Sequence, residues 1–194
     1  MYKRQVYDTA TKDWTYLEDF EWGNDGDSLG MDGGNIDWTV ETDGSSVAEI
    51  DTAQANSGTR SGRFYYDGSS ENILAYYSQD SPTWRGFYLR KDKNAIPYTI
   101  TGDGTNTVFI RVTRNEWVQY YDGSWQSVCK ISDSTWHFIE FRNIDWVAAT
   151  YDIYVDNNLE KSDTPMSAST SYNGLTAYYG GDYESEFWID DILK

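Results

Sequence analysis

Hydrophobic and polar residues alternate with a period of two through most of the chain. The longest such stretch is Trp136–Asp156, WHFIEFRNIDWVAATYDIYVD. In its first run His137, Ile139 and Phe141 fall on one face, and Phe138, Glu140 and Arg142 on the other. In its second run Tyr151, Ile153 and Val155 alternate with Asp152, Tyr154 and Asp156. A period of two in β-branched and aromatic residues marks a half-buried antiparallel strand. Asp156-Asn157-Asn158 tolerates positive φ and should end the second run in a tight turn. The pair is predicted to be a hairpin at the centre of a β-sandwich.

The same rhythm recurs elsewhere. Thr107–Arg114 sets Val108, Ile110 and Val112 against Phe109, Arg111 and Thr113, and Trp117–Tyr121 and Trp125–Ile131 flank the turn Asp122-Gly123. Further strands are expected at Tyr16–Trp22, Ile36–Val40, Val47–Asp51, Arg63–Tyr66, Ile73–Gln79, Arg85–Arg90, Pro97–Thr101, Leu175–Tyr179 and Glu184–Leu193. Turn signals come roughly every 8–12 residues, the spacing of a sandwich rather than of βαβ units. No stretch carries a helical period. Residues 1–13 read as a polar arm and residues 14–194 as a single domain, with no repeat or linker to divide it.

WHFIEF followed by YDIYVDN resembles the paired strands of laminin G-like domains, of the concanavalin A-like lectin and glucanase group. Asn157 stands where that turn usually has Gly, and YYDGSWQSV, Tyr120–Val128, fits the hairpin that precedes the pair. The resemblance implies an all-β, two-sheet antiparallel jelly-roll sandwich of the concanavalin A-like type. The opening DFE and the closing WIDDI resemble the end strands of jelly-roll carbohydrate-binding modules. What that likeness implies is that the two ends are neighbours and that an acidic residue from each holds a structural calcium. Carried over, the ligands are Glu21 and Asp190, helped by carbonyls of the Gly58–Gly62 loop. Acidic groups on solvent-facing edges are the alternative.

Composition narrows the function. Aromatic residues make up 17% of the chain, so much of the hydrophobic content is aromatic and suits strands rather than helices. A net charge of −17 repels phosphate and argues against nucleic acid and anionic membrane surfaces. No apolar run approaches the ~20 residues that would insert in a bilayer. The N-terminal MYKRQVYDTATKDW has no apolar secretory core. An extracellular place is expected nonetheless, by trimming or on a virus particle. Cys129 lies mid-strand and reads as a small buried residue. Asp25, Asp27 and Asp32 have the flavour of a calcium loop, but no Glu stands at the twelfth position, which favours a surface loop.

Catalytic motifs of the fold are incomplete here. Glucanases of the group carry E-x-D-x-x-E, which places nucleophile and acid on one strand face. The nearest match is Glu49-Ile50-Asp51-Thr52-Ala53-Gln54, with Gln in the last carboxylate position. The Arg-rich, Gln-x-His and Tyr-Lys strands of alginate-type lyases have no counterpart. His137 shares the parity of Ile139 and Phe141 and is expected to be a hydrogen-bonded core imidazole rather than a base.

A binding face remains. Opposite the apolar parity lie Tyr88, Arg90, Arg111, Trp117, Gln119, Tyr121, Glu140 and Arg142. Aromatic planes among fixed polar groups suit sugars, whose apolar C–H faces and hydroxyls need both. The expected function is non-catalytic glycan recognition or adhesion, with a cell-surface polysaccharide as partner. The alternatives are a structural virion protein, in which the same face makes a homo-oligomer interface, and a polysaccharide lyase or glycoside hydrolase.

Overall fold

The computed structural model describes residues 16–31, 34, 38–42, 44–68, 74–78, 81–168, 173–179 and 183–194. The expected arm at 1–13 and Asp32 lie outside these. The strands are β1 (Tyr16–Glu18), β2 (Thr39–Glu41), β3 (Val47–Asp51), β4 (Ser61–Tyr66), β5 (Leu74–Ser78), β6 (Arg85–Lys91), β7 (Pro97–Asp103) and β8 (Asn106–Val112). They continue with β9 (Trp117–Tyr121), β10 (Trp125–Lys130), β11 (His137–Asp145), β12 (Thr150–Val155), β13 (Asn158–Pro165), β14 (Ser167–Ala168), β15 (Asn173–Tyr179) and β16 (Ser185–Leu193). No helix long and apolar enough to cross a membrane occurs among the described residues.

The strands form two antiparallel sheets. The first runs β13-β12-β11-β6-β16-β4-β3, with β1 added alongside β16. The second runs β10-β9-β8-β7-β15-β5-β2, with β14 alongside β8. The chain passes repeatedly from one sheet to the other, so neighbours in a sheet are often distant in sequence. This is a jelly-roll topology.

Alternation explains the core. Phe87 and Leu89, Ile139 and Phe141, Tyr151, Ile153 and Val155, and Phe187 and Ile189 line the inner face of the first sheet. Val108, Ile110 and Val112, Val118 and Tyr120, and Leu175 and Ala177 meet them from the second. Ring contacts tie strands together: Phe64 stacks on Phe187 at 4.6 Å, and Phe141 meets Tyr151 edge-on at 5.7 Å.

The predicted hairpin forms as β11 and β12, and Asp156 and Asn157 take the expected positive φ (51° and 67°). It is not central, however. β12 is next to the edge strand β13, and the middle of its sheet is β6 and β16. The expected first strand is also shorter than Tyr16–Trp22. It stops at Glu18 because that buried carboxylate accepts the amides of Asp19 and Phe20 and the indole N–H of Trp22. The bend, with Phe20 at φ 55°, drives the Phe20 ring into the core.

Truncating Phe187 to Ala would leave Phe64 facing a cavity and should cost about 3–5 kcal/mol. Val147 is 99% exposed at a hairpin tip, and Val147→Ala should change stability by less than about 0.5 kcal/mol. Urea denaturation of the two variants checks the contrast.

Candidate functional site

The eight residues expected on one binding face all point away from the core, but they do so from two sheets. Arg111, Trp117, Gln119 and Tyr121 stand on the outer face of the second sheet, on β8 and β9. Tyr88, Arg90, Glu140 and Arg142 stand on the outer face of the first, on β6 and β11. The expected single surface is therefore two surfaces on opposite sides of the sandwich. Parity along a strand tells inside from outside; it carries no information on which sheet the strand joins.

The outer face of the second sheet is built in rows across the strands. Registers align Ser127, Gln119, Arg111, Tyr98 and Tyr178 in one row. The neighbouring row reads Trp125, Tyr121, Phe109, Ile100 and Thr176, two residues along each strand and so about 7 Å away. The rings form one continuous cluster. Tyr98 stacks on Tyr178 at 4.8 Å, while Trp125 lies 5.0 Å from Phe109, 5.1 Å from Tyr121 and 5.7 Å from Tyr98. All five residues are partly exposed.

Arg111 sits inside this cluster. Its guanidinium carbon is 4.0 Å from the Trp125 ring centroid, a cation–π contact. Its Nε donates to Gln119 Oε1 at 2.8 Å, and Nη1 to the Tyr98 hydroxyl at 3.3 Å. Gln119 Nε2 in turn donates to Ser127 Oγ at 3.0 Å. The polar row is thus held in a fixed geometry beside the aromatic row. Trp117 is at the rim, 37% exposed, with Lys130 Nζ 5.5 Å from its ring. Tyr98, Phe109, Trp125 and Tyr178 were not among the expected site residues. Alternation already turned Phe109 outward, but the contribution of β7 and β15 depends on sheet order.

The outer face of the first sheet is largely engaged with itself. Trp84, Phe138 and Leu193 make a small buried cluster against which Tyr88 packs. Glu140 is fully buried, accepting from Trp84 Nε1 and from two nitrogens of Arg142 at 3.0 and 2.9 Å. Arg142 also covers the Tyr154 ring, and Arg90 bonds the Ser134 carbonyl beside the Trp188 ring. Glu49, in the glucanase-like segment, is paired with Arg63 at 2.7 Å, and Asp51 accepts the Trp188 indole N–H at 2.6 Å.

His137 is hydrogen-bonded on both ring nitrogens. Nδ1 donates to Asp156 Oδ2 at 2.7 Å and Nε2 accepts the Ser132 amide at 3.0 Å. With its lone pair on a backbone N–H, it has none left to take a proton from a nucleophile. It closes the end of the sandwich rather than filling its centre. The Cys129 thiol is pushed up to about 12, by burial first and then by Glu160 and Asp156, which leaves it unreactive. Asp25 and Asp27 bond Thr52 and Asn24 within their own surface.

The two chain ends do meet, with β1 paired to β16. Glu21 accepts the amides of Thr59 and Arg60, and Asp190 those of Asn56 and Ser57, so both expected calcium ligands bind the 56–60 loop. Asp191 accepts from Asn56 Nδ2 and Ser57 Oγ. In charge the set suits a hard cation, since Asp190 and Asp191 are buried side by side. In geometry these carboxylates are turned onto the loop, and no three acidic side chains converge on one point among the described residues.

No family model matches the chain, and no curated protein matches it in sequence. Solved structures do match in shape. A carbohydrate esterase of the Shiga toxin-encoding bacteriophage phi24B superposes with a TM-score of 0.58 at 13% identity, covering 80% of this chain and 88% of the other. The cellulose-induced protein Cip1 gives 0.56 at 14% identity, covering 81% and 90%. An endo-β-1,4-glucuronan lyase from Trichoderma reesei gives 0.54 at 12% identity, covering 88% and 92%. The fold is a jelly-roll sandwich. At these identities the likeness extends to the fold alone.

Two outcomes follow from this geometry. Burial, and then the neighbouring charge of Asp191, raise the Asp190 carboxyl. A raised folded-state pKa means the folded protein holds a proton that the unfolded chain releases, so stability falls as pH rises from about 4 toward neutral. In chelator-treated protein, denaturation midpoints across that range should fall more steeply for the parent than for Asp190→Asn; equal slopes would show that the charge is offset. His137→Gln should lower stability by about 1–3 kcal/mol through unmade hydrogen bonds, read by thermal unfolding.

Proposed function

We propose that this protein is a non-catalytic glycan-binding module and that its site is the outer face of the second sheet. The observation that carries this reading is the paired rows: the half-exposed ring cluster of Tyr98, Phe109, Tyr121, Trp125 and Tyr178 beside the fixed polar line of Arg111, Gln119 and Ser127. A pyranose has an apolar C–H face and a rim of hydroxyls. Rings already packed against one another lose little freedom when they cover the first, and held donors and acceptors satisfy the second. The resemblance of WHFIEF and YDIYVDN to laminin G-like strands supports the glycan-binding reading but not the choice of face, since β11 and β12 belong to the first sheet.

An extracellular polysaccharide is the partner that fits, and calcium belongs to the proposal as a structural cation that would draw the Glu21 and Asp190 carboxylates off the amides of the 56–60 loop. Calcium binding only the folded state would raise the melting temperature by mass action. An unchanged melting curve on adding calcium to chelated protein would remove it from the account.

The site itself is tested with Trp125→Ala on a glycan array and by calorimetry with the best-bound oligosaccharide. Loss of one stacking ring should weaken binding by about 1–2 kcal/mol and leave the unfolding midpoint close to the parent's. If the parent instead binds no glycan and Trp125→Ala changes its mass in light scattering, the face is an assembly surface and the virion-type alternative replaces this one.

A further inference from the structure

Resting on that reading, we infer that the glycan taken by the second-sheet face is acidic, a uronate-containing saccharide whose carboxylate is bound by Arg111. The argument begins with charge. The chain has 32 Asp and Glu against 15 Lys and Arg, and three of its arginines pair with carboxylates: Arg60 with Glu21, Arg63 with Glu49 and Glu186, Arg142 with Glu140. Arg111 has no carboxylate partner among the described residues. Its contacts are an amide oxygen, a phenol and an indole face.

From β10 to β15 the two rows hold no acid, and the Arg111 row meets one only at Glu41, on β2 at the far edge of the sheet. Even Lys130 at the rim is 4.0 Å from Glu116 and so has a partner of its own. The face thus presents a positive charge in a strongly negative molecule. Screening over about 8 Å at physiological salt confines what a bound ligand feels to these nearby groups.

Arg111 is half-buried between rings, which costs it hydration that no protein anion restores. Nε and one hydrogen of Nη1 are used, which leaves both hydrogens of Nη2 and the second of Nη1 for a ligand. The bond from Nε to Gln119 and the stack on Trp125 fix the plane of the guanidinium, so its remaining donors have a set direction. A planar, pre-oriented fork of this kind pairs with a carboxylate through two parallel bonds. The backbones of the two rows are about 7 Å apart, and the Phe109 and Tyr121 rings stand beside the Trp125 ring that Arg111 covers, close enough for the ring of the same sugar or its neighbour to stack while its carboxylate reaches Arg111.

Calorimetry with oligogalacturonate and oligoglucuronate, each beside its carboxyl-reduced form, tests the inference on the unmodified protein. The acidic oligomer should bind at least about tenfold more tightly than the reduced one, the difference a charge-assisted pair makes. Arg111→Met, checked for folding by thermal unfolding, should bring that ratio close to one, and Arg111→Lys should restore only part of it. Equal binding of acidic and reduced oligomers would overturn the carboxylate assignment and leave glycan binding standing. So would uronates that fail to bind while a neutral or sulfated glycan on the array succeeds. Absence of binding to every glycan would bring down the underlying reading as well. Should Arg111→Met fail to fold, the acidic-to-reduced comparison on the parent still decides.

Discussion

The structure depends on the burial of β16 on both of its faces. Every residue of that strand except Glu186 is buried. It pairs with β6 on one side and with β4 and β1 on the other, so it links three separate regions of sequence. Its inward Phe187 and Ile189 join the interlayer core. Its outward Trp188 and Asp190 are covered by neighbouring side chains and the 56–60 loop. Apolar area removed from water drives the inner side, at about 25 cal/mol per Å². On the outer side, hydrogen bonds must satisfy groups that burial has desolvated.

That division separates two kinds of outer face. On the first sheet, Glu140 with Arg142 and Trp84, and Arg63 with Glu49 and Glu186, meet their needs within the protein. On the second sheet one cross-strand row carries Trp125, Tyr121 and Phe109, the next carries Ser127, Gln119 and Arg111 and ends in Tyr98 and Tyr178, and these residues stay partly exposed. Both faces are rich in Trp, Tyr and Arg, so composition alone does not separate them. What separates them is partnering: carboxylates pair with Arg63 and Arg142 on one, and Arg111 is held on the other by neutral groups.

The acidic end illustrates how burial and charge act together. Asp190 and Asp191 are adjacent in sequence, where strand alternation would send them to opposite faces. Asp191 takes a φ of 46° instead, the register slips between Asp190 and Leu193, and both carboxylates turn onto the same loop. Burial raises the proton affinity of both, with the charge of Asp191 adding to it at Asp190 and those of Asp19 and Glu21 at Asp191. The irregular backbone and the perturbed acid are two aspects of the same packing.

Most strands and the turn at Asp156-Asn157 were legible in the sequence, because they follow from local alternation and turn chemistry; the meeting of the two chain ends came from the resemblance of DFE and WIDDI to the end strands of carbohydrate-binding modules. The outward direction of all eight expected site residues was legible too, since the opposite parity in Val108/Ile110/Val112, Phe87/Leu89 and Ile139/Phe141 is apolar. Sheet membership was not legible. Whether β6 and β11 lie beside β8 and β9 or across the core from them depends on pairing between segments far apart in the chain, and a single strand's pattern is the same in either case. Tyr98 and Tyr178 reach the ring cluster only because β7 sits between β8 and β15. The local period determined which side chains could face a ligand, and only the tertiary order of the strands decided which of them share a surface.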